Sequence, residues 1–269
     1  MIYSKINEFC SVRNAGNCFR NGTEPTPRVK FLMDLLDSEG IEYELDTFSD
    51  EKKQADPFYQ WRMDKKGEKS EPKNNFFNII LRGNSNRMVV AHHDIQNPSI
   101  DNANDNSASV INAIALKKMR PDLHIVLLDG EEMGGIGSKQ VSGQINNGDF
   151  GQIEWVLNLE LTGKGGTYFF IGEYPGKLYD RIKSLFNCPS VRTPFNDSVT
   201  IRSFGIDSCV INPLPPLPEG ETSMVQAPDG KYLDYKMLYH CHNEKDTLSS
   251  ISVDDMREFV EQVLIKIVS

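Results

Sequence analysis

The chain has 269 residues, 39% of them hydrophobic and 25% charged, which is the composition of an ordinary globular protein with room for one sizeable core. Its net charge of −9 disfavours nucleic acid and anionic membranes as partners, because their phosphates would be repelled, and leaves small molecules and peptides. No apolar run is long enough to span a bilayer, the first residues lack the apolar core of a signal peptide, and the five cysteines are scattered with no Cys-x-x-Cys pair, so a cytosolic chain with free thiols is expected.

In chain order, Thr26 and Pro27 followed by Val29, Phe31, Leu32, Leu35 and Leu36 predict a capped helix that stops at Gly40. The alternation in "IEYELDTF" (41–48) predicts a half-buried strand. Residues 49–75 are polar, with Pro57 and Pro72, and read as an insertion or a hairpin. Strands follow at 74–83 and 87–94, joined by the turn "GNSN". A helix carrying Val110, Ile111, Ile114 and Leu116 leads into a strand "LHIVLLD" and a helix "GIGSKQVSGQI". Strands at 153–161 and 167–172, a helix at 177–186 and a strand at 207–212 come next. The proline-rich segment 213–238 reads as a loop over the site, and a serine-capped helix closes the chain. Strands alternating with helices predict a single α/β domain, an α/β/α sandwich around a mixed, largely parallel central sheet. Ligands of such sheets bind beyond the carboxyl ends of the strands.

Four stretches at those ends carry unusual chemistry, namely "AHHD" (91–94), "NANDN" (102–106), "DGEE" (129–132) and "NLEL" (158–161), and "YHCHNEKDT" (239–247) precedes the last helix. Histidines and carboxylates gathered at one rim make up the ligand inventory of a divalent metal site. Two metals ~3.5–4 Å apart need a carboxylate between them, with an imidazole and a further carboxylate on each side. Asp105 between His92 and Glu160 on one side and His242 and Glu132 on the other satisfies that count. Asp94, two residues from His92, shares its face and is expected to orient it. At the glycine turn neighbouring side chains diverge, so Glu132 can face a metal while Glu131 faces the attacking water as general base.

With these motifs on the page, the sequence resembles the co-catalytic zinc aminopeptidases of the bacterial leucyl type, the twenty-eighth metallopeptidase family, whose fold glutaminyl cyclases share. The segments "HHD", "NANDNSAS", "LLDGEEMGGIGS", "NLEL" and "HNEKDT" stand where that family has its site motifs, and "FNDSVTIRSFGID" (195–207) is a fainter match. The resemblance implies two zinc ions and removal of N-terminal residues from peptide or aminoacyl substrates. Glu160 stands in place of the usual aspartate, Asn102 and Ser109 in place of glycines, and Ser198 in place of a histidine. His93 and His240 are the alternative ligands beside His92 and His242; spacing to Asp94 and to Asp246 favours the latter pair.

An alternative is a glutaminyl cyclase with one zinc on Asp105, Glu132 and His242, Glu131 shuttling protons and Asp197 assisting. A hydrolase of acylated amino acids, and a metal-bearing binding protein without chemistry, complete the set. The 213–238 loop is expected to set specificity, with Tyr232, Tyr235 and Met237 as contacts to substrate.

Overall fold

A computed structural model describes residues 2–13, 24–49, 75–193, 195–213, 224–227, 230–233 and 241–269. Eight strands form the main sheet: β1 (Glu44–Ser49), β2 (Asn75–Leu81), β3 (Arg87–His92), β4 (His124–Leu128), β5 (Trp155–Leu159), β6 (Phe169–Gly172), β7 (Ser190–Val191) and β8 (Ser208–Pro213). They lie in the order β1-β2-β4-β3-β5-β8-β6-β7. The centre, β4-β3-β5-β8, is parallel, and antiparallel pairings attach β1 and β2 on one flank and β6 on the other. The turn after β2 closes no hairpin, because β4 lies between β2 and β3. That turn is instead held by Asp122 O, which accepts from the Asn84 and Ser85 amides at 2.8 and 3.0 Å.

The central strands are nearly continuous apolar runs because both of their faces are covered. Val89, Ala91, Ile125, Leu127, Leu157 and Ile211 point into one core, packed by α1 (Ile6–Ser11), α2 (Pro27–Ser38), α3 (Ala108–Met119) and α5 (Lys177–Leu185). The C-terminal helix α7 joins them; it is built from the consecutive segments Val253–Glu258, Phe259–Leu264 and Ile265–Val268, the middle one wound as a π-helix. Met88, Val90, Val126, Leu128 and Val156 point the other way, against Val141 and Ile145 of α4 (Ile136–Asn147) and Ile201 of α6 (Asp197–Ser203). The three-layer α/β/α arrangement follows from this period-2 division of apolar residues.

The caps are where the sequence places them. Thr26 Oγ1 accepts from Val29 N at 3.2 Å with Pro27 opening α2, and Ser252 accepts from Asp255 N at 3.2 Å. Gly40, at φ 65°, ends α2 in the left-handed region that favours glycine.

Several elements differ from the expectation. Residues 2–11 are helical, α6 begins at Asp197 behind an Asn196 cap, and β7 is a two-residue strand. Within the segment expected as loop, β9 (Met224–Ala227) and β10 (Gly230–Leu233) form a separate antiparallel hairpin. Residues 50–74, most of the expected insertion, lie outside the described residues. Among the described residues no helix is long and apolar enough to cross a membrane.

Candidate metal centre

The site lies at the carboxyl ends of β3, β4 and β5. β3 ends on His92, which with His93 and Asp94 is buried. β4 breaks at Asp129, whose Oδ2 accepts from Phe77 N at 2.7 Å and so ties the break to β2. Gly130 follows at φ 74°, where a Cβ would sit 3.1 Å from Phe76 and Ile136. That residue lets the chain turn at once, and the turn places Glu131 and Glu132 over the strand end. Beyond β5, Glu160 is held by two amides, Asn158 Nδ2 to its Oε1 and Asn106 Nδ2 to its Oε2, both at 3.1 Å.

Asp105 stands between two groups. Its Oδ1 is 3.3 Å from His92 Nε2, which is itself 3.6 Å from Glu160 Oε2. Its Oδ2 is 3.0 Å from His242 Nε2, which is 2.9 Å from Glu132 Oε1. The ligand atoms of His92, Asp105 and Glu160 lie within 4.8 Å of one another, and so do those of Asp105, Glu132 and His242. A third group, His92, Glu131 and Glu132, meets the same limit and puts Glu131 beside both halves. All donors are imidazole nitrogens and carboxylate oxygens, with a different oxygen of Asp105 serving each triad. That donor set fits zinc, and three protein ligands per side leave a position for solvent or substrate.

Asp94 occupies the back of the site. Its Oδ1 accepts from Glu131 N at 3.2 Å and its Oδ2 from Glu132 N at 3.1 Å, while His92 Nδ1 lies 3.3 Å from Oδ1. It therefore orients the imidazole, as its spacing implies, and also fixes the backbone of both glutamates. Burial works to raise the Asp94 pKa, but the His92 bond and the backbone bond from Glu132 prevail and hold it below the ordinary value.

Electrostatics divide the site. Burial opposes the charged imidazoles, yet Glu160, Asp105 and Asp94 raise the His92 pKa well above 6.5, and Asp105 and Glu132 raise that of half-exposed His242 to about 10. Asp105 is pulled well below the carboxylate range by the two histidines, against its burial. Burial, reinforced by Glu132, Asp197 and Glu160, pushes Glu131 well above its ordinary value, and burial with the Asp105 charge brings Glu132 to about 6. Asp197, fully buried, is raised to about 7 by desolvation first and then by the Glu160 charge. Neither of its oxygens accepts a hydrogen bond of normal geometry from the described residues.

The two histidine pairs separate. His93 points away from the carboxylates, its Nε2 donating to Phe77 O at 2.8 Å, so the ring among the carboxylates is that of His92. His242 is in place; His240 lies outside the described residues, as do Tyr235 and Met237. Tyr232 falls in β10, whose backbone alone is described. Ser198, at the family's histidine position, accepts from Ser208 Oγ at 3.0 Å. Asn102 adopts φ 48°, a left-handed conformation asparagine tolerates, and Ser109 Oγ meets Thr162 Oγ1 at 2.9 Å, so both replacements of glycine have structural partners or geometry.

Two supports were not legible as such. Asp246 accepts from Asn104 N at 2.7 Å and Asp105 N at 3.1 Å, and so clamps the turn that carries the shared carboxylate. Asn106 and Asn158 steer Glu160. The one available signal was spacing: Asn158 is two residues before Glu160, on the same face of the strand end.

Residues 78–266, well over half of the chain, match the family model Peptidase family M28. No curated protein sequence matches the chain. Among solved structures, the zinc aminopeptidase BSAP from Bacillus subtilis is similar at 16% identity and TM-score 0.55, over 72% of this chain and 49% of that one. The LapA aminopeptidase of Legionella pneumophila is similar at 12% identity and TM-score 0.63, over 99% and 68%. The glutaminyl cyclase of Porphyromonas gingivalis is similar at 16% identity and TM-score 0.65, over 99% and 96%. At these identities the likenesses show the fold, and the chain spans about half the length of the Bacillus enzyme. By the match over residues 78–266, which takes in His92, Asp94, Asp105, Glu131, Glu132, Glu160 and His242, the chain belongs to peptidase family M28, a family of zinc metallopeptidases.

Proposed function

We propose that the chain is a two-zinc aminopeptidase of the cytosol that hydrolyses N-terminal residues from peptides. The observation that supports this best is Asp105, whose two oxygens face two separate His-carboxylate pairs at 3.0 and 3.3 Å. His92, Asp105 and Glu160 would hold one ion, and Asp105, Glu132 and His242 the other. When bound there, zinc supplies Lewis acidity that makes water acidic enough to react near neutral pH. Glu131, whose carboxylate lies beside His92 and Glu132, is the base that takes the proton of the attacking water. It then returns that proton to the amine that leaves as the peptide bond breaks. Asp94 keeps Glu131 and Glu132 in register through their backbone amides. Asp197, buried beside the site with unmatched oxygens, is suited to receive the free amino group of the substrate. Tyr232 and Tyr235 are proposed as contacts further along the substrate, and Y232A and Y235A should raise KM.

The second reading is a one-zinc glutaminyl cyclase, in which Asp105, Glu132 and His242 hold the ion and Glu131 and Asp197 move protons. What favours it is length, since the chain covers 96% of the Porphyromonas cyclase. Metal content per chain, with a panel of aminoacyl, peptide and glutaminyl-peptide substrates, separates the two. Two zinc ions with release of N-terminal residues support the first; one ion with cyclisation of glutamine overturns it in favour of the second.

A further inference from the structure

Arg28, the second residue of α2, takes no part in the chemistry above. It is fully buried, and its guanidinium spreads its donors over three segments. Nε donates to His93 O at 2.6 Å, Nη2 to Ser107 Oγ at 2.6 Å and Nη1 to Phe9 O at 3.1 Å, with the Phe9 ring 3.7 Å from the guanidinium carbon. His93 O belongs to the peptide that leads from His93 into Asp94. Ser107 Oγ donates in turn to Asn102 O at 2.6 Å and closes the turn across Asp105.

We infer that Arg28 is a positioning residue for the metal centre. One guanidinium fixes the separation between the end of β3, which carries His92 and Asp94, and the turn that carries Asp105. This rests on the reading of the site as a zinc centre. Ligands from different segments must be held within ~0.5 Å of productive geometry, which requires rigid supports behind them. A planar fork with donors in fixed directions can hold two segments at a set distance; an ammonium is a single point on a flexible stem. Plain core packing at this position would be served by Leu or Met, which offer no directed bonds. A buried guanidinium costs too much desolvation to be placed where its donors have no use.

The test is zinc affinity, measured by competition with a chromophoric chelator, in wild type, R28K, S107A and the double variant, each shown by circular dichroism to be folded. A variant that is less stable but still folded holds zinc as tightly as wild type, so affinity separates positioning from mere support. R28K should weaken zinc binding about tenfold, the low end for a residue that orients ligands from outside. S107A should weaken it as well, and the double variant should lose less than the two single losses combined, because the two residues act through one contact. Wild-type affinity in R28K and S107A overturns the inference, as does full additivity. If R28K does not fold, S107A decides: wild-type affinity there overturns it. A wild-type chain that takes up no zinc overturns the reading of the site and this inference with it, whereas normal uptake with unaffected variants overturns this inference alone.

Discussion

Asp94→Asn isolates the support behind the general base. The carboxylate accepts two backbone N–H groups, from Glu131 at 3.2 Å and Glu132 at 3.1 Å, and stands 3.3 Å from His92 Nδ1. Asparagine has one acceptor oxygen, so its amide nitrogen must face one of those N–H groups, donor against donor. A lost hydrogen bond to a charged group is worth ~1.5–3 kcal/mol. At about 2 °C per kcal/mol for a chain of this size, the zinc-free protein should unfold roughly 3–6 °C lower. Zinc affinity should fall about 10–100-fold, because a neutral amide holds the His92 imidazole less strongly than the carboxylate does. Displacing Glu131 by about 1 Å should lower kcat on the order of 100-fold with little change in KM. Thermal unfolding, chelator competition and steady-state kinetics with an aminoacyl substrate read the three effects. If D94N kept wild-type zinc affinity and kcat, the clamp would have no functional weight.

Three further outcomes are expected. Glu131→Gln should lower turnover by about 10²–10⁴-fold while zinc content per chain stays at the wild-type value, and near-normal turnover would remove Glu131 from the chemistry. Glu160→Asp, shorter by one methylene, cannot reach both the Asn158 and Asn106 amides and the His92 side together, so zinc bound by the His92 triad should weaken about tenfold while the His242 triad is spared; equal weakening of both would contradict the division of the site. His124 is buried, and its Nδ1 accepts from Gly83 N at 3.3 Å; burial, then Lys117 and Arg82, lower its pKa. The unfolded chain therefore takes up the proton first as pH falls through about 6.5, and the stabilisation present above that value is lost below it. Relative to H124Q, the zinc-free wild type should lose Tm as pH falls from ~7.5 to ~5.5; identical slopes would remove His124 as a source of the dependence.

Much of this was legible in local patterns. β3, β4 and β5 announce themselves as apolar runs, and a run buried on both faces belongs at the centre of a parallel sheet. The grouping of His92, Glu160, His242 and Glu132 about Asp105 could be anticipated because a count of two imidazoles and a shared carboxylate constrains it. The choice between His92 and His93 was not open to the same treatment. Adjacent side chains leave a strand on opposite faces; spacing to Asp94 favours His92, and the bond from His93 to Phe77 O of β2 leaves the His92 ring among the carboxylates. The clamps were hidden for a related reason. Asp94, Asp246 and Arg28 act on backbone atoms of residues 37, 141 and 65 positions away, and a backbone acceptor or donor leaves no mark on residue type. The helix at 2–11 shows the opposite failure: Ile2, Ile6, Phe9 and Cys10 carry a helical stripe, but no cap marks its start.

The arrangement around His92 explains why metal stoichiometry is the measurement that divides the two reactions. His92 Nε2 lies 3.3 Å from Asp105 and 3.6 Å from Glu160, and its Nδ1 lies 3.3 Å from Asp94. An imidazole that keeps its proton offsets part of the charge of those carboxylates. The half formed by His242 and Glu132 is different, because its histidine is partly exposed and comes from a loop. One framework would thus suit an ion on the His242 side with a proton on the other, or ions on both. With one ion Glu131 would work chiefly as a proton shuttle; with two it would act as the base toward water made acidic there.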